Sequence, residues 1–526
     1  MQDDAKDPYG GLIFRGYAAF LHGALHVRWL VLAALIGITV ACYAGFGMVK
    51  QAFFPNSNTP LFFVHYTMQQ GMPIATTSNQ MEIVEAYLAE HEDVVSVSTF
   101  VGQGATRFLL TYTSEPPNPA FGHLIIRAKN LEVIPQLQAD LEAFAAENLP
   151  GGEFRTARLV FGPGGVSPIE VRFSGSDPEV LRDLSDQAIG LLTDASPNIL
   201  APRINWREQE LVLRPRYVTE RGQAAGVSRD EVANAMLFAT DGVTFGTYRE
   251  GDRAIPIISR VAPESDVGIM DQALGAPDGS SLLPIEQIVD GFAVEAQNTL
   301  IHRLNRVPTI TVGADIPADA TAAQVHAEVR SAIEAMQLPV GYKMEWGGEF
   351  EASNDANASL GAQLPVTILI MVLITVLLFN ALRQPLIIWL LVPMSVNGVA
   401  LGLLGTGLPF TFTALLGLLS LSGMLIKNGI VLVEEIDIVR GEGMAVREAI
   451  VTASTSRLRP VLLAAATTIM GMIPLLGDAF FVSMAVTIMG GLAFASILTL
   501  VAAPVLYDLF FGGHRTRVYL SSEAAA

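Results

Sequence analysis

Cysteine is almost missing: Cys42 is the single thiol in 526 residues, so the chain cannot close a disulfide on itself. Charge is also sparse, at 16% of residues, and the basic sign is the scarcer, 32 Lys and Arg against 51 Asp and Glu, for a formal net charge of -19. That balance argues against a nucleic-acid partner and for a solvated acidic region. No G-x-x-x-x-G-K-[ST] loop occurs, and GPGG at 162–165 falls in a linker rather than between a strand and a helix, so ATP is not the expected fuel. H-E-x-x-H and C-x-x-C are absent, and the eight histidines form no ligand cluster. Met68 and Met72, in a β-to-turn segment, read as packing rather than as soft-metal ligands. No metal and no cofactor is expected. Nor does a small-residue cleavage site precede the first apolar block.

What the chain has in quantity is apolar side chains, 51% of residues, gathered in blocks long enough to cross a bilayer. Six spans are read, near 30–48, 364–382, 385–404, 412–433, 460–476 and 480–511. Before them, residues 1–29 hold Lys6, Arg15 and Arg28 around an amphipathic patch suited to the membrane surface. Arg383 lies between spans two and three, Arg440, Arg447, Arg457 and Arg459 between four and five, and Arg515 and Arg517 after six, whereas the alternate short loops carry no basic residue. The positive-inside bias then puts both termini in the cytoplasm and the acidic region outside, in the periplasm of a bacterium with two membranes.

That region, between spans one and two, repeats a pattern of β-rich run, helix, break and second β-rich run. The units cover 61–101 with a helix opened by Thr77-x-x-Gln80, 124–161, a third whose helix starts at Asp177-Pro178 and returns over 203–215, and 308–346 with Thr321-x-x-Gln324. Four units make two split βαβ sandwiches of the ferredoxin-like kind. The fold class is thus membrane α-helical, six transmembrane helices with an α+β periplasmic region. Between units three and four, about 218–305, an insertion holds a helix capped by Ser228-x-x-Glu231 and a turn-rich segment that reads as an extended hairpin.

The chemistry gathers at Lys427, inside the apolar run FTALLGLLSLSGMLIKNGIVLVEEID. A lysine well within a bilayer costs roughly 2.5–3.5 kcal/mol, so it must snorkel to the surface or meet an acid. Snorkelling would carry it toward Glu434, seven residues and about 10 Å further along the helix. Ser420, Ser422, Gly423 and Gly429 favour the other reading, because small residues let a neighbouring helix approach and bury the amine. No acid lies mid-span, since Glu434, Glu435 and Asp437 sit at the end of the run, and the partner carboxylate is expected on another polypeptide. A proton is the plausible energy source, Lys427 loading one or answering a carboxylate that does.

LIKNGIVLVEEID, with the order one span, large insert, five spans, resembles the second half of a resistance-nodulation-division (RND) efflux transporter of the hydrophobe/amphiphile, AcrB-like type. There the lysine of a K-N-x-I-x-(I/L)-V-E pattern faces paired aspartates of the first half. The resemblance implies a proton relay of Lys427 and Arg457, the latter from R-L-R-P at 457–460, with Asn428 and Glu434 in support. It places Ala464 where the family has a relay threonine, with Thr467 nearly a turn further on. It assigns 1–29 to an interfacial approach helix, 30–48 to the first span, 55–161 to one porter subdomain, 162–217 with 306–347 to another, 218–305 to a funnel or docking subdomain, 360–511 to a five-helix block and 512–526 to a tail. The linker at 102–108 occupies the place of a loop between substrate pockets, and no substrate-contacting residue is assigned.

The implied function is secondary active transport, not enzyme catalysis. This is drug/proton antiport of amphiphilic small molecules across the bacterial inner membrane, driven by the proton-motive force. The implied partners are a first-half polypeptide carrying the aspartates, a trimeric assembly, a periplasmic adaptor and an outer-membrane channel. Two other classes fit parts of the chain: a protein-translocation accessory like the split SecD and SecF pair, and an inert membrane-inserted fragment. The four-unit insert and the Lys-Asn motif speak against the former.

Overall fold

The computed structural model describes residues 11–109, 111–162, 167–262, 269–275 and 282–512. Lys6, Arg515, Arg517 and most of the GPGG linker lie outside them. Two compact units are present, Trp206–Leu300 and the remainder of the chain.

The larger unit opens with α1 (Leu12–His26) and α2 (Arg28–Phe46). α1 buries Leu21, Ala24 and Leu25 and leaves Leu12, Ile13 and Phe20 exposed, an apolar outer surface consistent with an interfacial helix. β1 (Leu61–Met68), α3 (Ile74–Ala89), β2 (Val94–Val101), β3 (Phe121–Ala128), α4 (Ile134–Asn148) and β4 (Gly152–Arg158) then build an antiparallel sheet in the order β2-β3-β1-β4. The period of two divides β1: Phe62, Val64, Tyr66 and Met68 join Leu124 and Ile126 of β3 in a core closed by Met81, Val84, Leu137 and Leu141 of the helices. The helix expected to open at Thr77 begins three residues earlier, at Ile74 after Pro73. Thr77 is buried within it and donates its hydroxyl to the Pro119 carbonyl at 2.7 Å, so it ties the helix to the loop that precedes β3 rather than capping it.

The opposite face of this sheet is aromatic and cationic. His65 and His123 are cross-strand partners with ring centroids 4.8 Å apart, and His65 pairs with Arg155 on its other side. His123 Nδ1 donates to the Val64 carbonyl at 3.1 Å, leaving Nε2 to face the Tyr112 hydroxyl at 3.4 Å. Burial pushes the His123 imidazole down to about 4, against the Val64 bond, with Arg155 adding to the fall. His65 is pushed down too, first by burial and then by Arg155. A base depressed in the folded state takes up protons first in the unfolded chain, so stability from this pair is present above about pH 6.5 and is lost as pH falls toward 4. The expected loss is about 3 kcal/mol at most for His123. Hydrogen-exchange protection of β1 and β3, corrected for intrinsic rates, should fall across that window. The His65→Phe/His123→Phe variant should remove the slope.

Next come β5 (Ile169–Ser174), α5 (Pro178–Ala195) and β6 (Leu200–Ile204). Asp177 caps α5 as expected, accepting from the Glu179 N–H at 2.9 Å with Pro178 in the first turn. The smaller unit follows. It holds β7 (Glu210–Tyr217), α6 (Thr219–Ala225), α7 (Arg229–Ala239), β8 (Val243–Glu250), β9 (Arg253–Ser259), β10 (Ala273–Gly275), β11 (Leu282–Pro284) and β12 (Val289–Gln297). Ser228 and Glu231 form the expected capping box on α7, and β8–β9 is a hairpin with Phe245, Tyr248, Ile257 and Ile258 exposed. The chain returns as β13 (Arg303–Leu304), β14 (Val307–Asp315), α8 (Ala322–Glu334) and β15 (Lys343–Gly347).

Their sheet runs β13-β14-β5-β15, with β6 also on β14. The return strand expected over 203–215 is thus divided: β6 joins this sheet, while β7 pairs with β12 in the smaller unit after a left-handed turn at Arg207 (φ 63°). Thr321 caps α8 through the Gln324 N–H at 3.3 Å. The two sandwiches meet where Asp315 of β14 takes Arg203 through both carboxylate oxygens and Arg155 of β4 at 3.3 Å.

The membrane block is α9 (Gly348–Phe379), α10 (Arg383–Leu391), α11 (Val396–Thr406), α12 (Phe412–Gly441), α13 (Val446–Met472), α14 (Val482–Ile497) and α15 (Ala503–Phe511). With α2, six helical segments among the described residues are long and apolar enough to cross a bilayer. The third is a composite, broken by a 3₁₀ turn at Pro393–Ser395, and the last carries a π turn at Leu498–Ala502. α9 and α13 start at Gly348 and Val446 rather than at 364 and 460, because polar first turns extend each helix beyond its apolar run. Pro460 sits inside α13 rather than at its head.

α14 packs between α11 and α12 on glycines. A Cβ on Gly398 would stand 2.3 Å from the Gly490 carbonyl oxygen, and one on Gly490 2.7 Å from that of Gly398. Backbone cannot yield as a flexible side-chain tip can. Gly398→Val should therefore cost at least the roughly 1–3 kcal/mol of an overpacked core, read as a lowered unfolding midpoint in detergent.

Candidate functional site

α12 is capped by the Thr411 side chain, which accepts from the Ala414 N–H at 3.2 Å. Leu421, Leu425, Ile426, Gly429, Leu432, Val433 and Ile436 are turned into the bundle. The other face carries Ser420, Gly423, Lys427 and Glu434, at steps of three, four and seven residues and all exposed. Lys427 makes no ion pair with any described residue. The buried amine expected from the small residues is therefore not buried within this chain. Those residues separate: Ser420 and Gly423 share the open face, Gly429 packs on Ile388 of α10, and Ser422 is half-buried with its hydroxyl on the Leu418 carbonyl at 3.0 Å. Asn428 is half-buried beside the lysine.

Arg457 of α13 lies elsewhere, paired with Glu435 of α12 at 2.5 Å, and the Ser456 hydroxyl reaches the same carboxylate at 3.5 Å. The structure thus brings the predicted Arg457 to Glu435, which was not singled out, and leaves Glu434 exposed without an ion pair among the described residues. Thr467 bonds its hydroxyl to the Leu463 and Ala464 carbonyls of its own helix, and both Thr467 and Ala464 are exposed.

Two further knots lie near the same end of the bundle. Asp437 accepts from the Tyr507 hydroxyl and from Gln384 Nε2 at 3.0 Å, and Arg440 Nη1 donates to the Tyr507 oxygen at 3.3 Å. Asp508, whose side chain is 0% exposed, takes Arg28 Nη1 at 3.0 Å and Arg447 Nε at 3.2 Å, so one carboxylate ties the first span, α13 and the last span together. The visible signal was an ionisable residue within the last apolar block, a rare placement with a named partner to be sought.

An exposed mid-helix ammonium beside two small residues, without an ion pair among the described residues, is a surface shaped for a close helix carrying negative charge. The AcrB/AcrD/AcrF family model matches residues 11–511. The cation efflux system protein CzcA of Alcaligenes sp. (strain CT14) is 24% identical over 525 residues, covering 94% of this chain and 48% of that protein. The multidrug resistance protein MdtC of Yersinia pseudotuberculosis serotype O:1b is 24% identical over 519 residues, 96% of this chain and 49% of that protein. The crystal structure of a heavy metal efflux pump shares the fold, with a TM-score of 0.77 at 21% identity over 95% of this chain and 51% of that one. The chain spans about half the length of these relatives. With six membrane-length apolar helices among the described residues, the lysine-bearing α12 one of them, and a family match over nearly its whole length, the chain belongs to the AcrB/AcrD/AcrF family of RND efflux transporters.

Proposed function

We propose that this chain supplies the lysine-bearing half of a proton-driven exporter of amphiphilic small molecules in the bacterial inner membrane, with both termini cytoplasmic and the two sandwiches in the periplasm. Lys427 and Arg457 serve the relay, with Asn428 and Glu434 in support. The paired aspartates come from a first-half segment, on this or a separate polypeptide, within a trimer that meets an adaptor and an outer-membrane channel. The sandwiches serve as ferredoxin-like porter subdomains and the smaller unit as the funnel or docking part. The observation that carries this reading is Lys427 exposed on α12, next to Ser420 and Gly423 and without an ion pair among the described residues.

Cation and multidrug exporters both stand among the relatives. The amphiphile reading is supported by the aromatic sheet face beside the linker at 102–108, where Phe63 lies 6.2 Å from Phe108 and 5.7 Å from Tyr112. Rings of this kind accept varied apolar ligands. Cross-linking tests the pairing. A cysteine at Ser420, in a Cys42→Ser background, should join a cysteine beside the paired aspartates of the partner helix in membranes. Capture only by helices lacking acids would overturn the assignment.

A further inference from the structure

A cavity of about 130 Å³ lies beneath the second sandwich, where residues 51–53, residues 410–412 entering α12, the first turns of α9, and β15 and α8 come together. Its lining includes two carboxylates, Glu170 and Glu349, and neither Lys nor Arg. Glu170 is engaged already, by the Ser167 N–H at 3.3 Å and by Arg172 Nη2 at 3.2 Å. Glu349 is only half engaged: Oε1 accepts from the Phe53 N–H at 3.0 Å, and Oε2 has no hydrogen-bond partner among the described residues. Across the cavity His326, 6% exposed, has a buried Nε2 without a partner. Its ring stacks on Phe350 at 4.0 Å and meets Trp346 edge-on at 4.4 Å. Burial holds this imidazole below its ordinary range, and Arg330 pushes it the same way, so the ring is neutral at neutral pH and Nε2 can offer a lone pair whenever Nδ1 carries the proton.

A half-satisfied carboxylate, an unpaired acceptor nitrogen and aromatic walls have one chemical complement. We propose that this cavity binds a protonated primary amine: its N–H groups bond Glu349 Oε2 and His326 Nε2, and its charge lies against the faces of Trp346 and Phe350. Each element is a known cation recogniser, and an unpaired buried acceptor is costly until a donor fills it. The volume sets the size. An apolar cavity near 150 Å³ holds benzene, while sites for drug-sized ligands run to roughly 300–1,000 Å³, so this one takes a head group whose tail runs outside it. Its place at the helix ends, where apolar spans give way to the sandwich, allows two sources for the amine: the ethanolamine head group of a membrane phospholipid, or a free alkylamine.

The test uses the full chain in nanodiscs and follows dodecylamine binding calorimetrically, with dodecanol as the uncharged control. Saturable amine binding is expected that dodecanol does not match, weakened at least tenfold by Glu349→Gln and by His326→Phe, which keeps the ring but removes the acceptor. If the lipid is the source, phosphatidylethanolamine discs lower the apparent dodecylamine affinity relative to phosphatidylcholine discs; if a free amine is, the two agree. Equal binding of dodecanol, or wild-type amine affinity in both variants, overturns the proposal. Should Glu349→Gln fail to fold, His326→Phe with an unchanged melting profile decides it alone. None of these readouts depends on export.

Discussion

Replacement of Lys427 by alanine is expected to abolish proton-coupled export by the assembled transporter while leaving this chain folded and inserted. The magnitude follows from the driving force. One proton crossing 100 mV releases about 2.3 kcal/mol, which at about 1.4 kcal/mol per decade sustains a solute gradient of roughly forty- to fiftyfold. Loss of the relay charge should collapse that gradient to none. Folding survives because Lys427 is exposed and holds no bond of the bundle, and removing an ammonium from a membrane helix lowers the cost of insertion. Lys427→Arg separates charge from proton exchange, since it can still meet aspartates but its guanidinium stays protonated at any physiological pH. It should preserve cross-linking at residue 420 and still fail to pump. Everted vesicles loaded with a fluorescent amphiphile give the reading; a Lys427→Ala complex that accumulates dye like the wild type would refute the relay role.

The second large effect concerns stability. Asp508 is fully buried, whereas the Arg28 side chain is 29% and the Arg447 side chain 52% exposed. The knot is therefore asymmetric. Removing both arginines strands a carboxylate that cannot reach water, a loss of about 3–5 kcal/mol for an uncompensated buried charge. Asp508→Asn strands two cations that can turn outward, so a smaller loss is expected. Arg28→Ala alone should fall between, because Arg447 still covers the acid. Unfolding midpoints of the purified chain in mixed micelles would rank the three. If Asp508→Asn proved as damaging as Arg28→Ala/Arg447→Ala, burial of the carboxylate would not be what governs this junction.

Residues whose roles depend on near neighbours in the chain were readable in advance. Asp177, Ser228 and Thr321 cap the helices their spacing announced, since an N-cap and the amide it satisfies are two or three residues apart. Thr77 misled because the same pattern arose one turn inside a helix, where Pro73 had already set the start. Polar first turns hid the true beginnings of α9 and α13, for hydropathy reports where lipid is and not where the helical hydrogen-bond ladder starts. The division between β6 and β7 was not visible, because two similar β-rich runs differ only in which distant strand, β14 or β12, receives them.

Composition and motif alone determined the membrane class, the span order, the paired strand–helix units and the singularity of Lys427. Each of these rests on local periodicity or on the transfer cost of one side chain. Tertiary structure alone decided that Arg457 answers Glu435, that Asp508 gathers Arg28 and Arg447, and that Glu349 and His326 face one cavity. The partners in these contacts stand from 22 to 480 residues apart in the chain. A pairing at such distance is chosen by how helices cross and which faces are left to meet, and no local pattern encodes that choice.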